Sequence, residues 1–368
     1  MDAKPEAAPG DISAAKERAR TGTRTKAAPC PEGKKRISLA LQGGGAHGAF
    51  TWGVLDRLLE DDRLQIEAVC GTSAGAMNAV ALVYGMAIGG HDGGRAALEQ
   101  FWHKVGATAR TSPVQPSWLD RLLSQGNMDY SLSWLFYDSL SRVSSPYQFN
   151  PLNLNPLRDL LVESIDFDVI RRCENIRLFL CATNVLTGRI KVFETPEITA
   201  DHVLASACLP DIFQAIEIGG EFFWDGGYMG NPPIYPLIYR AETSDVLIVQ
   251  INPIRIEKLP RTAREIADRV NTLSFNSSLM REMRAIHFVG RLLENGLLDT
   301  SRYKKLNVHT VSAEAEMAKL HASSKLNSDP GFLDYLFELG RGRAEAFLHE
   351  HFAAIGHRSS TDIVETFL

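Results

Sequence analysis

No run of about 18 apolar residues occurs anywhere in the chain, so no segment reads as a bilayer-spanning helix. Net charge is small: −5 over 368 residues gives no global electrostatic reason to bind nucleic acid. Cysteine is scarce and unpatterned. The five cysteines, Cys30, Cys70, Cys173, Cys181 and Cys208, form no C-x-x-C pair and are odd in number. Three of them lie in apolar runs, which argues against a disulfide framework and suits buried thiols in a reducing compartment. No repeat at solenoid spacing is present. The first 34 residues, rich in Ala, Pro, Gly, Lys and Arg, lack the apolar core of a secretory signal and read as a disordered arm. A cytoplasmic location is expected. The arm's cations (Lys16, Arg18, Arg20, Arg24, Lys26, Lys34, Lys35, Arg36) read as a solvated tail, with contact to anionic lipid as the alternative.

What is present is a core-forming composition, 45% hydrophobic and 8% aromatic, enough for one large α/β domain or one domain with an appendage. Ile37 to Leu41 reads as a buried strand, and Phe50, Val54, Leu55, Leu58 and Leu59 fall at helical spacing between Ala49 and Glu60. After the polar break Asp61-Asp62-Arg63, Ile66 to Cys70 reads as a second strand, followed by a sharp turn and a helix over Ala76 to Tyr84. Gly89 to Gly94 reads as a hinge or loop. The stretch of about 90–150, broken by Pro113, Pro116, Gly126 and Pro146, is expected to be a helical insertion. Its Trp118, Leu119, Leu122, Leu123, Leu132, Trp134, Leu135, Phe136 and Tyr137 either line an acyl-chain groove or pack on the main core.

Further strands are expected over Arg177 to Thr183, Arg189 to Phe193 and Asp245 to Ile251, with a short helix over Val203 to Cys208 begun by an Asp201 cap. Ala215 to Ile218 and Glu221 to Trp224 flank Gly219-Gly220, a two-residue hairpin signal. From about Leu259 onward the pattern is mostly helical with charged faces.

Three constellations carry possible chemistry. Gly43, Gly45 and Gly48 have the G-x-G-x-x-G spacing of a dinucleotide turn, with Glu67 near the place of a ribose-binding acid; a nucleotide-binding oxidoreductase is one reading. Gly71-Thr72-Ser73-Ala74-Gly75 matches G-x-S-x-G between a strand and a helix, which would set Ser73 at a helix N-terminus where dipoles favour a developing alkoxide. A βαβ unit brings the two turns to one sheet edge, so bare N–H groups of Gly43 to Gly45 could face an acyl oxyanion near Ser73. For the base, His47, His202 and Asp225 are candidates. A glycine loop only one βαβ unit upstream of the serine argues against an α/β-hydrolase and leaves room for a two-residue Ser–Asp site. Asp225-Gly226-Gly227 is otherwise an ordinary turn after a strand.

Taken in order, G-G-G-x-x-G (Gly43, Gly44, Gly45, Gly48), G-x-S-x-G (Gly71, Ser73, Gly75) and D-G-G (Asp225, Gly226, Gly227) resemble the patatin-like phospholipases. The resemblance runs from about Arg36 to Ile251 and includes Ala205 to Pro210. It implies a three-layer α/β/α fold with a mostly parallel central sheet, forming a catalytic domain over 35–258; the helical C-terminal extension over 259–368 and the first 34 residues fall outside the resemblance. It also implies a serine lipid acyl hydrolase of phospholipase A or lysophospholipase type, acting without metal or cofactor. Ser73 would be the nucleophile, Asp225 the base, and the Gly43, Gly44 and Gly45 amides the oxyanion hole. Many members carry arginine where this chain has His47. Peripheral contact with a membrane or lipid droplet is expected, and a lipid-binding protein without turnover is the remaining alternative.

Overall fold

The computed structural model describes residue 30 and residues 33–108, 115–117, 119–120 and 126–368. Most of the basic arm, and Trp118, Leu122 and Leu123 of the expected groove, lie outside the described residues. The elements that matter below are β1 (Lys35–Leu41), α1 (Gly48–Glu60), β2 (Leu64–Gly71), α2 (Ala74–Thr108), α3 (Leu132–Val143) and α4 (Pro156–Ser164). They are followed by β3 (Arg177–Asn184), β4 (Ile190–Glu194), α5 (Ala200–Ser206), β5 (Ile216–Ile218), β6 (Glu221–Asp225) and β7 (Asp245–Gln250). The chain closes with α6 (Ala263–Glu294), β8 (Asn307–Ser312) and α7 (Pro330–His351).

One eight-stranded sheet follows the pairing path β5-β6-β3-β2-β1-β7-β8, with β4 also on β3. The run from β3 to β8 is parallel, and β4, β5 and β6 are antiparallel additions. The central strands are apolar on both faces because both are covered. Ile37, Leu39 and Leu41 pack with α1, α2 and α7 in one cluster, while Ala40, Ala68, Cys70 and Ile248 pack in another that includes Leu279 and Met283 of α6. The three-layer α/β/α arrangement follows.

Register decides where the antiparallel strands fall. Leu180 of β3 pairs with Phe193 of β4 and with Gly71 of β2, on opposite edges. Two residues on, Ala182 pairs with Lys191 of β4 and with Asp225 of β6. Thus β6 takes the edge that β2 vacates as its chain turns away, and Asp225 arrives at the level of Ser73.

Residues 259–368 are mostly helical as expected, but they also supply β8, which pairs in parallel with β7 along its whole length. They finish a helical layer too. A Cβ on Gly53 of α1 would stand 1.9 Å from the Phe337 carbonyl oxygen of α7, and one on Gly340 would stand 2.1 Å from that of Phe50. Such close approach makes the C-terminal segment part of the core and not an appended unit. The Asn307–Ser312 strand escaped the sequence reading because it is short and four of its six residues are polar.

Three local expectations are corrected. The helix of α2 runs through residues 91–94 to Thr108, and the non-helical break is confined to Gly89 and Gly90, the latter at φ 61°. The cap of α5 is Thr199, in extended geometry, with Asp201 inside the first turn; the His202 ring accepts the Thr199 N–H at 3.1 Å. The last three cations of the basic stretch are built into the fold. Lys34 pairs with Asp62 at 2.6 Å, Lys35 donates to the Phe352 and Ile355 carbonyls, and Arg36 reaches Glu242 at 3.3 Å. The hairpin matches expectation, with Gly219 and Gly220 at φ 61° and 81° between paired Ile218 and Glu221. Among the described residues, no helix is long and apolar enough to cross a membrane.

Replacing Gly340 by valine should push α7 off α1 and destabilise the whole domain by at least about 2 kcal/mol in urea unfolding, in a single transition. Unfolding at the wild-type midpoint would contradict the close packing of these helices.

Candidate active site

The site forms where β1 and β2 end. Gly75 is needed because a Cβ there would stand 2.2 Å from the Leu41 carbonyl oxygen and 2.8 Å from that of Gln42; a Cβ on Gly71 would stand 2.4 Å from the Gly75 oxygen. Between them, Ser73 is forced to φ 56°, a left-handed conformation that is strained for a side chain bearing a Cβ. The Ser73 N–H donates to Ser206 Oγ at 3.0 Å, and its carbonyl accepts from Ala76 and Met77 as α2 begins. Thr72 Oγ1 donates to the Gly230 carbonyl at 2.7 Å. The turn is thus pinned on both sides and presents the Ser73 hydroxyl at the start of a helix, where the backbone dipoles favour negative charge.

Asp225 is fully buried. Its N–H donates to the Cys208 carbonyl at 2.7 Å and its own carbonyl accepts from Thr183 Oγ1 at 2.8 Å. Gly226 lets the chain press onto β3, since a Cβ there would lie 2.1 Å from the Cys181 oxygen. On the carboxyl group, Oδ1 accepts the Gly227 N–H at 2.7 Å, while Oδ2 has no hydrogen-bond partner among the described residues. Burial pushes the carboxyl up from 3.8 to about 6, against the opposing pull of the Gly227 N–H, the Ser73 hydroxyl and the Lys325 charge. Ser73 and Asp225 are therefore neighbours.

The glycine turn treats its three amides differently. Gly43 lies directly against the serine, a Cβ on it being 2.6 Å from Ser73 Cβ, but its N–H is already donated to Asn231 Oδ1 at 2.7 Å. Of the three amides expected to face an oxyanion, this one is engaged. The N–H groups of Gly44 and Gly45 donate to nothing among the described residues. Both residues line, with Ser73, a cavity of about 290 Å³. Gly45 takes φ 61° under the Lys325 carbonyl, which a Cβ would meet at 2.2 Å. Gly48 is packed against Ala74 and Trp102 at the start of α1.

Of the expected groove residues, Trp134 and Tyr137 of α3 line this cavity, joined by Leu209, Ile212, Tyr228 and Phe275. Leu132 and Phe136, on the same helix, are exposed. The other candidate bases face elsewhere. His47 Nε2 pairs with Ser324 Oγ at 2.8 Å, and burial with the nearby Lys325 charge lowers the ring to about 3. His202 is taken up in capping α5 and sits edge-on to Phe193. Glu67, the acid a dinucleotide site would require, instead accepts the backbone N–H groups of Glu242 and Thr243. Among the described residues, no group of three or more His, Cys, Asp or Glu is placed to hold a metal.

Several site residues were missed in the sequence. Gln42 Oε1 accepts from the Ile251 and Asn252 backbone, Asn252 Nδ2 donates to the Gly43 carbonyl at 2.8 Å, and Asn231 holds the Gly43 N–H. Asn252 was findable, since it follows a buried strand at the same sheet edge. Lys325, far downstream, carries no local signal at all.

A model of the patatin-like phospholipases matches residues 39–238, more than half of the 368-residue chain. Among solved structures, VipD from Legionella pneumophila is 17% identical with a TM-score of 0.39, over 88% of this chain and 68% of that one. A chain of the heterodimeric ExoU–SpcU complex from the type III secretion system of Pseudomonas aeruginosa is 16% identical with a TM-score of 0.32, over 86% of this chain and 52% of that one. The present chain thus spans about half the length of the latter. No curated protein matches it.

The burial of Asp225 has a consequence for stability. Its folded pKa of about 6 lies above the ordinary 3.8, so the folded state loses stability as pH rises from about 4 to about 6, by roughly 3 kcal/mol, and no further above that. Asp225→Asn lacks this loss. Its stability relative to wild type should therefore climb across that window in urea unfolding at pH 4, 5, 6 and 7.5; a constant difference would contradict the buried, under-bonded carboxyl.

Proposed function

This chain belongs to the patatin-like phospholipase family, and from that premise we propose that it is a serine lipid acyl hydrolase working through Ser73 and Asp225. The observation that carries the reading is the pairing of a strained serine with a buried aspartate whose Oδ2 lacks a partner among the described residues, while the Gly44 and Gly45 amides, unengaged among the same residues, share one cavity with the serine. In the proposed reaction, Ser73 Oγ attacks the ester carbonyl carbon as Asp225 takes its proton. The oxyanion is received by the N–H groups of Gly44 and Gly45, with Gly43 fixing the turn through Asn231 and Asn252. Asp225 then returns the proton to the departing alcohol. Water, activated by the same carboxylate, releases the fatty acid from the acyl-enzyme.

The raised pKa of Asp225 supports this assignment. A carboxylate titrating near 6 is a stronger base than one at 3.8 and is still mostly ionised at pH 7. The apolar cavity wall of Trp134, Leu209, Ile212 and Phe275 suits an acyl chain. The helices that form the wall also carry exposed apolar side chains, Leu132 and Phe136 on α3 and Ile266, Val270 and Leu273 on α6. These would dock the cavity at a membrane or lipid-droplet surface, and we place the protein as a peripheral binder of lipid.

Hydrolysis of a panel of phospholipids, lysophospholipids, neutral lipids and polyesters, with products identified by mass, tests the reading. Fatty-acid release should fall by at least about 10³-fold in Ser73→Ala and in Asp225→Asn. In wild type, kcat/KM should drop about tenfold per pH unit below about 6 as Asp225 takes up a proton. Undiminished release by Ser73→Ala would overturn the proposal, and absence of any release by wild type would favour a lipid-binding role without turnover.

A further inference from the structure

The matched family region ends at residue 238, yet residues from well beyond it, Lys325 among them, line the cavity with Ser73. Lys325 lies in the helical turn Ala322–Leu326, whose backbone is packed onto the glycine turn at Gly45. Its Nζ donates to Asn252 Oδ1 at 3.1 Å, and Asn252 Nδ2 in turn holds the Gly43 carbonyl at 2.8 Å. The ammonium also lies 5.6 Å from the centre of the Phe275 ring, another cavity wall. The glycine turn has no cation of its own, because His47 is buried against Ser324 and neutral. The cavity's other cation, Arg264, is 3.5 Å from Asp129. Lys325, bonded to the neutral Asn252, is thus the cavity cation without a carboxylate partner within ion-pair distance among the described residues.

Resting on the reading of Ser73 and Asp225 given above, we propose that Lys325 is a positioning residue of acyl transfer: tethered through Asn252 to the Gly43 carbonyl and packed by its backbone on Gly45, it keeps the glycine turn set for the oxyanion and places a positive charge on the cavity where that oxyanion forms. Lys325 is half-buried and has no carboxylate at hydrogen-bond distance among the described residues, so its charge is less screened than one in open water. The same burial lowers the ammonium to about 8, opposed by the pull of Asp268 and Asp225. The other charged groups facing this space are Asp129, Asp138, Asp211 and Arg264, with His47 behind the turn. Activity is then confined between two limbs. It needs Asp225 ionised, above about 6, and Lys325 protonated, below about 8.

The test is kcat/KM against pH from 5 to 10 on a soluble short-chain ester, for wild type, Lys325→Met and Lys325→Arg. Lys325→Met should lose roughly 10²-fold at pH 7, lose the alkaline limb, and move the acid limb upward because Asp225 no longer has its cation. Lys325→Arg should recover most of the rate and carry its alkaline limb beyond pH 10, since a guanidinium stays charged. Profiles of both variants that superimpose on wild type after scaling would mean a purely structural side chain and overturn the proposal. If Lys325→Met does not fold, an unmoved alkaline limb in Lys325→Arg overturns it alone. Failure of the underlying reading looks different: wild-type hydrolysis would then be insensitive to Ser73→Ala.

Discussion

Gly75 rests on the carbonyl oxygens of Leu41 and Gln42, with no room between them for so much as a methyl group. That contact locks the corner after β2 onto the corner after β1, and the rest of the site follows from it. With Gly75 and Gly71 both pressed on backbone, the residue between has only a left-handed conformation left, and Ser73 takes it at φ 56°. The strain, of order 1–3 kcal/mol, persists because the surrounding sheet and α2 over-determine the turn. Gly43 meets Ser73 from the other corner. The serine and the glycine amides are therefore brought together by backbone packing at the sheet edge, and the side chains of Ser206, Asn231 and Asn252 then fix their orientation.

The carboxylate is brought to the same place by a different device. An antiparallel strand takes over the edge of β3 at the point where β2 leaves it, and Ala182 then faces Asp225 across the ladder. Its backbone is held by Cys208 and Thr183, so the side chain cannot retreat to water. A buried carboxyl with one oxygen unsatisfied opposes folding. Two well-packed clusters on the sheet faces, and the interlocking of α1 with α7, offset that loss. The C-terminal residues thus serve twice: they stabilise a fold that carries a destabilising group, and through the Ala322–Leu326 turn they contribute to the cavity beside it.

How much of this was legible in the sequence depends on the range of the interaction. The β1–turn–α1 and β2–turn–α2 units, the Gly219-Gly220 hairpin and the strand of Asp245–Gln250 are local patterns of apolar periodicity and glycine placement, and they were readable. The pairing of Ser73 with Asp225 was implied by the resemblance of their motifs to the patatin-like phospholipases, since the residues alone left three candidate bases open. What could not be read was set by contacts distant in sequence. Gly43 looked as free as Gly44 and Gly45 until Asn231, 188 residues away, was found on its N–H. Glu67 resembled a ribose ligand until its carboxylate was found binding the Glu242 and Thr243 backbone. Lys325 and β8 lie in a stretch whose sequence reads as charged helix, and only tertiary packing gives them their places.

The central claim is that Ser73, Asp225 and the Gly44 and Gly45 amides act on one tetrahedral centre. A crystal structure of the protein after reaction with an alkyl fluorophosphonate tests it most directly, because the adduct copies the charge and shape of the acyl intermediate. The account predicts phosphorus bonded to Ser73 Oγ, the phosphoryl oxygen within about 3 Å of the Gly44 and Gly45 nitrogens, and the alkyl chain lying along Trp134 and Phe275. Phosphorus on another residue, or a phosphoryl oxygen turned away from both amides, would contradict it.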